Sequence, residues 1–165
     1  MKTLKKKLDD IDLHILNELQ SNGRISNVDL ANLVNISPPS CLRRVKALEQ
    51  LNYIKGYSAK INAELIGFKV TVFAYVGLES QAESDLQIFE NYISFFPEVR
   101  ECHMLIGEVD FILKIVAKDW DDFQKFLTTK LTKAPKVSNV KTSLNIRTNK
   151  SLTGVPFEIM IQEPL

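Results

Sequence analysis

The hydrophobic pattern of this 165-residue chain changes near Tyr57, and that change constrains the fold more than any other feature. Before it, apolar residues recur at three- or four-residue spacing, as they do in short amphipathic helices. After it, runs rich in valine, phenylalanine and isoleucine alternate with helical stretches, as in a sheet covered by helices. The sequence therefore predicts an α+β protein with a helical N-terminal part and a C-terminal part built on a sheet.

Two short helices are predicted at the start of the chain. Asp9 is a candidate N-cap for the first helix, which ends at Asn22-Gly23, a pair that tolerates the left-handed backbone conformation. Ser26 is a candidate N-cap for the second helix, which ends at a polar–apolar–polar turn formed by residues 35–37.

A third helix is predicted from Ser37 to about Leu51, followed by a short strand at Tyr53–Tyr57. Ser37 is its candidate N-cap, and Pro38 occupies the first helical position, where a missing N–H costs nothing. Two capped helices, a three-residue turn and a following strand together indicate a helix-turn-helix that binds double-stranded DNA.

The third helix has one face for packing and an opposite face suited to reading base edges. At 100° per residue, Cys41, Val45 and Leu48 share one arc, and Arg43 lies on the other. Arginine can address guanine through two hydrogen bonds, a contact worth roughly 1–3 kcal/mol of discrimination between bases. Arg44 lies on a flank of the helix, from which we expect it to reach a phosphate.

Charge is distributed unevenly along the chain. Residues 1–60 carry ten Lys/Arg and six Asp/Glu, whereas residues 61–165 carry eleven and fourteen. This asymmetry favours a polyanion-binding N-terminal module. Sequence-independent phosphate contacts are expected from four N-terminal lysines, Lys2, Lys5, Lys6 and Lys7. No apolar run approaches the ~20 residues of a membrane span, so we expect a cytoplasmic, nucleoid-associated protein without a membrane partner.

The second part of the chain predicts the order β-α-β-β-α-β of a ferredoxin-like domain. The strands are expected at 69–79, 99–106, 109–117 and 137–146, and the helices at 82–96 and 119–133. A tight turn at Gly107-Glu108 is expected to join the two middle strands. The predicted domains are 1–57 and 69–165, with 58–68 as a linker. The apolar residues of the last twenty positions could pair with a sheet edge or with a partner subunit.

The sequence lacks the constellations typical of enzymes and metal sites. It has no phosphate-cradling glycine loop, no nucleophile elbow and no HExxH motif, which disfavours an enzyme of amino-acid metabolism. Cys41 and Cys102 lie far apart and are interpreted as small buried side chains in a reducing compartment. His14 and His103 are interpreted as structural or solvated. We therefore expect no metal and no cofactor, although an amino-acid effector is possible.

Several of these motifs, in order along the chain, resemble the Lrp/AsnC family of feast/famine transcription regulators. The matching segments are 8–12, 23–26, 36–49, 53–57, 101–103 and 107–113. The resemblance implies a winged helix-turn-helix domain joined to a ferredoxin-like domain that binds an effector and oligomerises. It also implies dimers formed through the sheet domain, their frequent assembly into octamers, and a small amino acid bound in clefts between dimers.

The resemblance assigns DNA contacts to five residues, Ser37, Pro39, Ser40, Arg43 and Arg44, and Asn27 and Lys46 complete the candidate set. The candidate effector-binding residues are Gly107, Glu108, Val109 and Asp110. Backbone N–H groups near Gly107 would hold a carboxylate, and Asp110 or Glu108 would receive an ammonium. Two alternatives stay open. Gly107 and Asp110 could serve only the turn, and the protein could be a nucleoid-type architectural protein that wraps DNA without a ligand.

Overall fold

The computed structural model describes residues 7–152 and 154–160, and the chain divides into two compact units. The first combines the residues up to Lys60 with those from Lys150 onward, and the second is Ile61–Asn149. The boundary near residue 60 lies within the predicted linker, but the C-terminal tail groups with the helices and not, as predicted, with the sheet. Lys2, Lys5 and Lys6 lie outside the described residues.

The first unit is built on three helices, α1 (Asp10–Ser21), α2 (Asn27–Leu33) and α3 (Pro38–Gln50). The predicted N-caps are confirmed at the first two: the Asp9 side chain accepts a hydrogen bond from the Asp12 N–H, and the Ser26 hydroxyl accepts one from the Asp29 N–H. The helices enclose one small core. Its buried members on the three helices and the turn that follows α2 are Leu13, Ile15, Leu16, Leu30, Ala31, Val34, Cys41 and Leu48.

Two asparagines in the left-handed conformation end α2 and α3. Asn35 has φ 52° and Asn52 has φ 59°. After α3, the Tyr53 N–H donates to the Leu48 carbonyl at 2.9 Å and the Asn52 N–H to Glu49 at 3.0 Å, the hydrogen-bond pair of a Schellman motif. This arrangement folds the chain back onto the end of the helix. The predicted strand at Tyr53–Tyr57 is therefore wrong, and turns and bends take its place.

The C-terminal tail completes the core of the helical unit. Phe157 is buried in the same cluster as the helix side chains. The amide of Gln20 on α1 pairs with the backbone of Val155: Val155 N–H donates to Oε1 at 2.7 Å, and Nε2 donates to the Val155 carbonyl at 2.9 Å. Neither a sheet edge nor a second subunit is needed to explain why Phe157 is apolar.

The second unit is a four-stranded antiparallel sheet with helices. Its elements are β1 (Val70–Leu78), α4 (Glu83–Ser94), β2 (Val99–Met104), β3 (Phe111–Ala117), α5 (Trp120–Thr129) and β4 (Val137–Leu144). The strand order is β2-β3-β1-β4, and all neighbours are antiparallel. This is the ferredoxin-like arrangement that the sequence predicts.

The sheet buries one face and leaves the other open. Alternate residues of β1 and β3 pack with Phe89 and Ile93 of α4 and with Phe123 of α5 in the larger core. The open face carries apolar side chains that are only half-buried: Phe73, Tyr75, Ile112 and Val116. Cys102 on β2 is exposed, which corrects its interpretation as a buried residue, whereas Cys41 is buried as expected.

Candidate functional sites

The outward face of α3 carries the predicted cationic residues. Arg43 and Lys46 are exposed, and neither forms a hydrogen bond or ion pair with any residue that the structure describes. Pro39 is exposed on the same face, and Ser37 is exposed at its entry. Ser40 is half-buried. The exposed arc is therefore centred on Arg43 and Lys46.

The turn before α3 is held by Asn27. Its side-chain amide donates to the Pro38 carbonyl at 2.9 Å, which ties the start of α2 to the start of α3. Ser37 has the extended backbone of an N-cap but makes no side-chain capping bond. Since Pro38 and Pro39 lack N–H groups, Ser40 supplies the first backbone donor within the helix, which makes this helix N-terminus a poor anion site. Asn27 thus links α2 to α3, and its contact with DNA stays a prediction.

Arg44 is the clearest departure from the predicted DNA-contacting set. Its Nη1 donates to Asp9 Oδ2 at 2.8 Å and to Asp12 Oδ1 at 2.7 Å. Asp12 is fully buried, whereas 23% of the Arg44 side chain is exposed. The hydrogen bonds to Asp12 and then Asp9 raise the pKa of Arg44 despite its partial burial. The guanidinium therefore links α3 to the start of α1, and its contact with a phosphate stays a prediction.

Two residues of the exposed arc were not among the predicted contacts. Gln50 is exposed, and Leu42 on the same helix is 44% exposed. Helical projection places Gln50 beside Arg43, so the sequence carried that signal. Leu42 was missed because sequence analysis assigns an apolar residue at the edge of the packing arc to the hydrophobic core. Both types are suited to base edges, since glutamine pairs with adenine and an apolar side chain contacts the thymine methyl.

The loop between β2 and β3 is longer than predicted. β2 ends at Met104 and β3 begins at Phe111, and the Leu105 N–H donates to the Asp110 carbonyl at 2.8 Å. The tight turn at Gly107-Glu108 is therefore wrong, and residues 105–110, called the β2–β3 loop below, form a wider connection. Gly107 is exposed in open space and is not among the residues with positive φ.

Asp110 turns inward from the β2–β3 loop. It is 8% exposed, its Oδ2 accepts from the Leu78 N–H at 2.7 Å, and its Oδ1 accepts from Gln81 Nε2 at 2.9 Å. Its own N–H donates to the Val76 carbonyl at 3.0 Å. Both carboxylate oxygens thus bind the end of β1 and the segment after it, which favours the capping alternative. The contact of Asp110 with an ammonium stays a prediction.

The other predicted effector residues are exposed or half-buried. Glu108 is exposed and forms no ion pair with the described residues, and Val109 is half-buried. Beside them, the Ile106 side chain is fully exposed. The loop therefore offers one free carboxylate and apolar surface on a frame fixed by Asp110.

The described part of the chain holds no cluster of three or more His, Cys, Asp or Glu that could bind a metal ion. His103 is exposed on β2 and lies 3.4 Å from Glu101, which Lys114 also contacts at 2.8 Å. Within residues 7–152 and 154–160, no helix has the length and apolar character needed to cross a membrane.

Family models match both units. Residues 8–55 match a winged helix-turn-helix DNA-binding model, and residues 71–155 match the Lrp/AsnC ligand binding domain. Together they span most of the chain, with each match on the unit where the corresponding candidate site lies.

Similar proteins and solved structures agree with these matches. The leucine-responsive regulatory protein of Rhizobium meliloti is 44% identical over 152 residues, covering 92% of this chain and 97% of that protein. The transcriptional regulator AzlB of Bacillus subtilis is 35% identical and covers 93% and 98%. A crystal structure of a Neisseria meningitidis transcriptional regulator in complex with L-Met has a TM-score of 0.88 and 31% identity, covering 93% of this chain and 99% of that one.

Proposed function

The chain belongs to the Lrp/AsnC family of transcriptional regulators, and from that premise we propose how its own residues bind DNA and an amino acid. It is a DNA-binding regulator with an amino-acid effector domain and not an enzyme. What the family leaves open for this chain is which side chains contact DNA, where the effector lies, and how the subunits assemble.

We propose that the outward face of α3 enters the major groove. Arg43 reads a guanine, Gln50 and Leu42 lie beside it toward neighbouring bases, and Lys46 contacts the phosphate backbone. The single observation that carries this proposal is that Arg43 and Lys46 are exposed and unpaired within residues 7–152 and 154–160, although the neighbouring Arg44 is bound to two carboxylates. Cations kept without protein partners are available to phosphates and bases.

The β2–β3 loop is the proposed effector site. Backbone N–H groups around Gly107 receive the carboxylate of a small amino acid, Glu108 receives its ammonium, and the apolar surface of Val109 and Ile106 contacts its side chain. Asp110 acts as a positioning residue, because its hydrogen bonds to Leu78 and Gln81 fix the loop. The L-Met complex of the Neisseria relative supports an apolar amino acid as the ligand class.

Self-association through the sheet completes the proposal. The open face presents Phe73, Tyr75, Ile112 and Val116, apolar side chains that a second copy would cover. Dimers formed in this way place the amino acid between dimers in a larger assembly, up to an octamer. Two α3 helices would then meet successive major grooves of cytoplasmic DNA, ~34 Å or a multiple of it apart.

The test measures DNA affinity and assembly size together, with and without ligand. The full chain is titrated onto a duplex that it has itself selected from a random library, in the presence of each amino acid in turn. Its mass is followed under the same conditions by analytical ultracentrifugation. At least one apolar amino acid should change both quantities, and Glu108→Ala should weaken that response. Tight DNA binding that no amino acid alters would instead favour the ligand-independent architectural protein.

A further inference from the structure

A concave site lies at the end of the sheet opposite the β2–β3 loop. Its cavity of about 730 Å³ is lined by the segment before β1, the start of β2, the end of β3 and α5. The seven residues of β3 separate it from the loop, roughly 20 Å at the rise of an antiparallel strand. Its volume is within the range of small-molecule sites in proteins.

The cavity wall is mainly apolar. Ile66 and Phe68 contribute from the segment before β1, Ala117 from the end of β3, and Phe126 from α5. Ile66 is 62% exposed, so its side chain remains available to a ligand. An apolar molecule would remove this surface from water and gain the corresponding hydrophobic free energy.

The rim carries more positive than negative charge. Arg100, Lys118 and Lys125 line the cavity and form no ion pair with any described residue; the Arg100 guanidinium has only a 3.4 Å hydrogen bond to the Pro97 carbonyl. Asp122 is the one lining carboxylate besides Glu98. The three cations favour a ligand with a carboxylate at its polar end.

Glu98 adds a second requirement, a hydrogen-bond donor on the ligand. Its Oε1 accepts from Lys130 Nζ at 2.7 Å, but its Oε2 is buried and has no hydrogen-bond partner among the described residues. Lys130 is itself held in place, with Nζ 5.0 Å from the Phe96 ring and 5.6 Å from the Phe126 ring. Burial is the largest single influence on Glu98 and raises its pKa. The hydrogen bond from Lys130, a hydrogen bond from the Glu98 backbone and the charge of Lys130 together lower the pKa below its ordinary value, so the carboxylate is ionised at neutral pH. A buried carboxylate oxygen without a donor is costly unless a ligand supplies one.

We propose that this cavity binds an apolar carboxylic acid that carries an amino or hydroxyl group beside its carboxylate. The carboxylate lies toward Lys118 and Lys125, the neighbouring N–H or O–H donates to Glu98 Oε2, and the apolar body lies along Phe68 and Phe126. An α-amino acid and a 2-hydroxy acid share this chemistry, and both require a large apolar substituent to fill the space.

Three probes with the same ring separate the contributions. L-Phenylalanine has an α-amino group, L-3-phenyllactate an α-hydroxyl, and 3-phenylpropionate neither. In calorimetric titrations of the full chain, the first two should each bind roughly tenfold or more tighter than the third, the ratio expected for one hydrogen bond to a charged group. If only one of the two donors binds tightly, it identifies the ligand as amino acid or hydroxy acid.

Two variants locate the binding. Glu98→Gln should narrow the gap between the donor-bearing probes and 3-phenylpropionate. The double variant Lys118→Gln/Lys125→Gln should weaken the binding of all three probes by roughly fivefold or more. The control Lys133→Gln removes an exposed charge that does not line the cavity, so it should leave their binding unchanged. Glu108→Ala on the β2–β3 loop should leave phenyllactate and phenylpropionate binding unchanged.

The proposal is overturned if none of the probes binds, which would leave the cavity to a segment of a second copy or to solvent. It is equally overturned if binding is the same in the double lysine variant and in Lys133→Gln, or if Glu98→Gln leaves the order of the probes intact. Thermal unfolding of each variant confirms that it is folded before its affinity is compared.

Discussion

The outward face of α3 and the β2–β3 loop were both predicted as sites from charged residues in a short motif, yet the structure treats their charges differently. On α3, Arg43 and Lys46 remain exposed and have no partner in the part of the chain that the structure describes. In the loop, Asp110 is buried and both its oxygens accept internal hydrogen bonds. We therefore expect a charged residue in a motif to contact a ligand where the fold leaves it unsatisfied.

The two regions differ because the exposure of Arg43 depends on neighbours in the chain, whereas the burial of Asp110 depends on distant residues. The exposure of Arg43 follows from helical periodicity, which is local and readable from the sequence. Asp110 instead binds Leu78 and Gln81, which lie 32 and 29 positions away along the chain. Arg44 repeats this lesson within α3, since its partners Asp9 and Asp12 are 35 and 32 positions away.

The largest expected effect is the loss of stability when Arg44 is replaced. Arg44→Ala leaves the buried carboxylate of Asp12 without this cation, and we expect the free energy of unfolding to fall by roughly 2–3 kcal/mol, somewhat less than for a fully buried pair because Arg44 is partly exposed. The matched control is Arg43→Ala on the same helix, expected to change stability by no more than about 0.5 kcal/mol. Urea unfolding measures both. Equal losses of unfolding free energy in the two variants would contradict the different roles given to Arg43 and Arg44.

A slightly smaller effect is expected in the β2–β3 loop. Asp110→Ala removes the acceptor of the Leu78 N–H, which should lower the free energy of unfolding by about 2 kcal/mol. Glu108→Ala, two positions away and exposed, should leave stability unchanged but weaken the response to amino acid. Thermal unfolding with and without ligand gives both quantities. If Asp110→Ala kept the stability of the wild type but lost the response to amino acid, Asp110 would be a ligand contact.

The smallest effect concerns the phosphate contact on α3. Lys46→Gln should weaken binding to all duplexes alike and make the slope of log affinity against log salt concentration shallower by about 0.9, the value for one phosphate contact. Fluorescence anisotropy at four salt concentrations measures that slope. A loss confined to the selected duplex would make Lys46 a base contact.

Most of the fold could be predicted from the sequence because its signals are local. The caps at Asp9 and Ser26, the period of each helix and the β-α-β-β-α-β order all depend on neighbours in the chain. The errors arose where long-range packing decides. The segment after Asn52 folds back onto α3 as a turn, and Phe157 reaches the helical core from the far end of the chain. Composition cannot reveal either contact.

The most direct test of the account compares the DNA affinity of Arg43→Ala and Arg44→Ala, each corrected for its folded fraction. Anisotropy titrations use the selected duplex and a scrambled duplex of equal length. Arg43→Ala should lose roughly tenfold or more on the selected duplex and far less on the scrambled one, because a bidentate base contact disappears. Folded Arg44→Ala should bind both like the wild type. The opposite pattern, with Arg44→Ala losing specificity and Arg43→Ala keeping it, would contradict the assignment of α3's outward face to DNA.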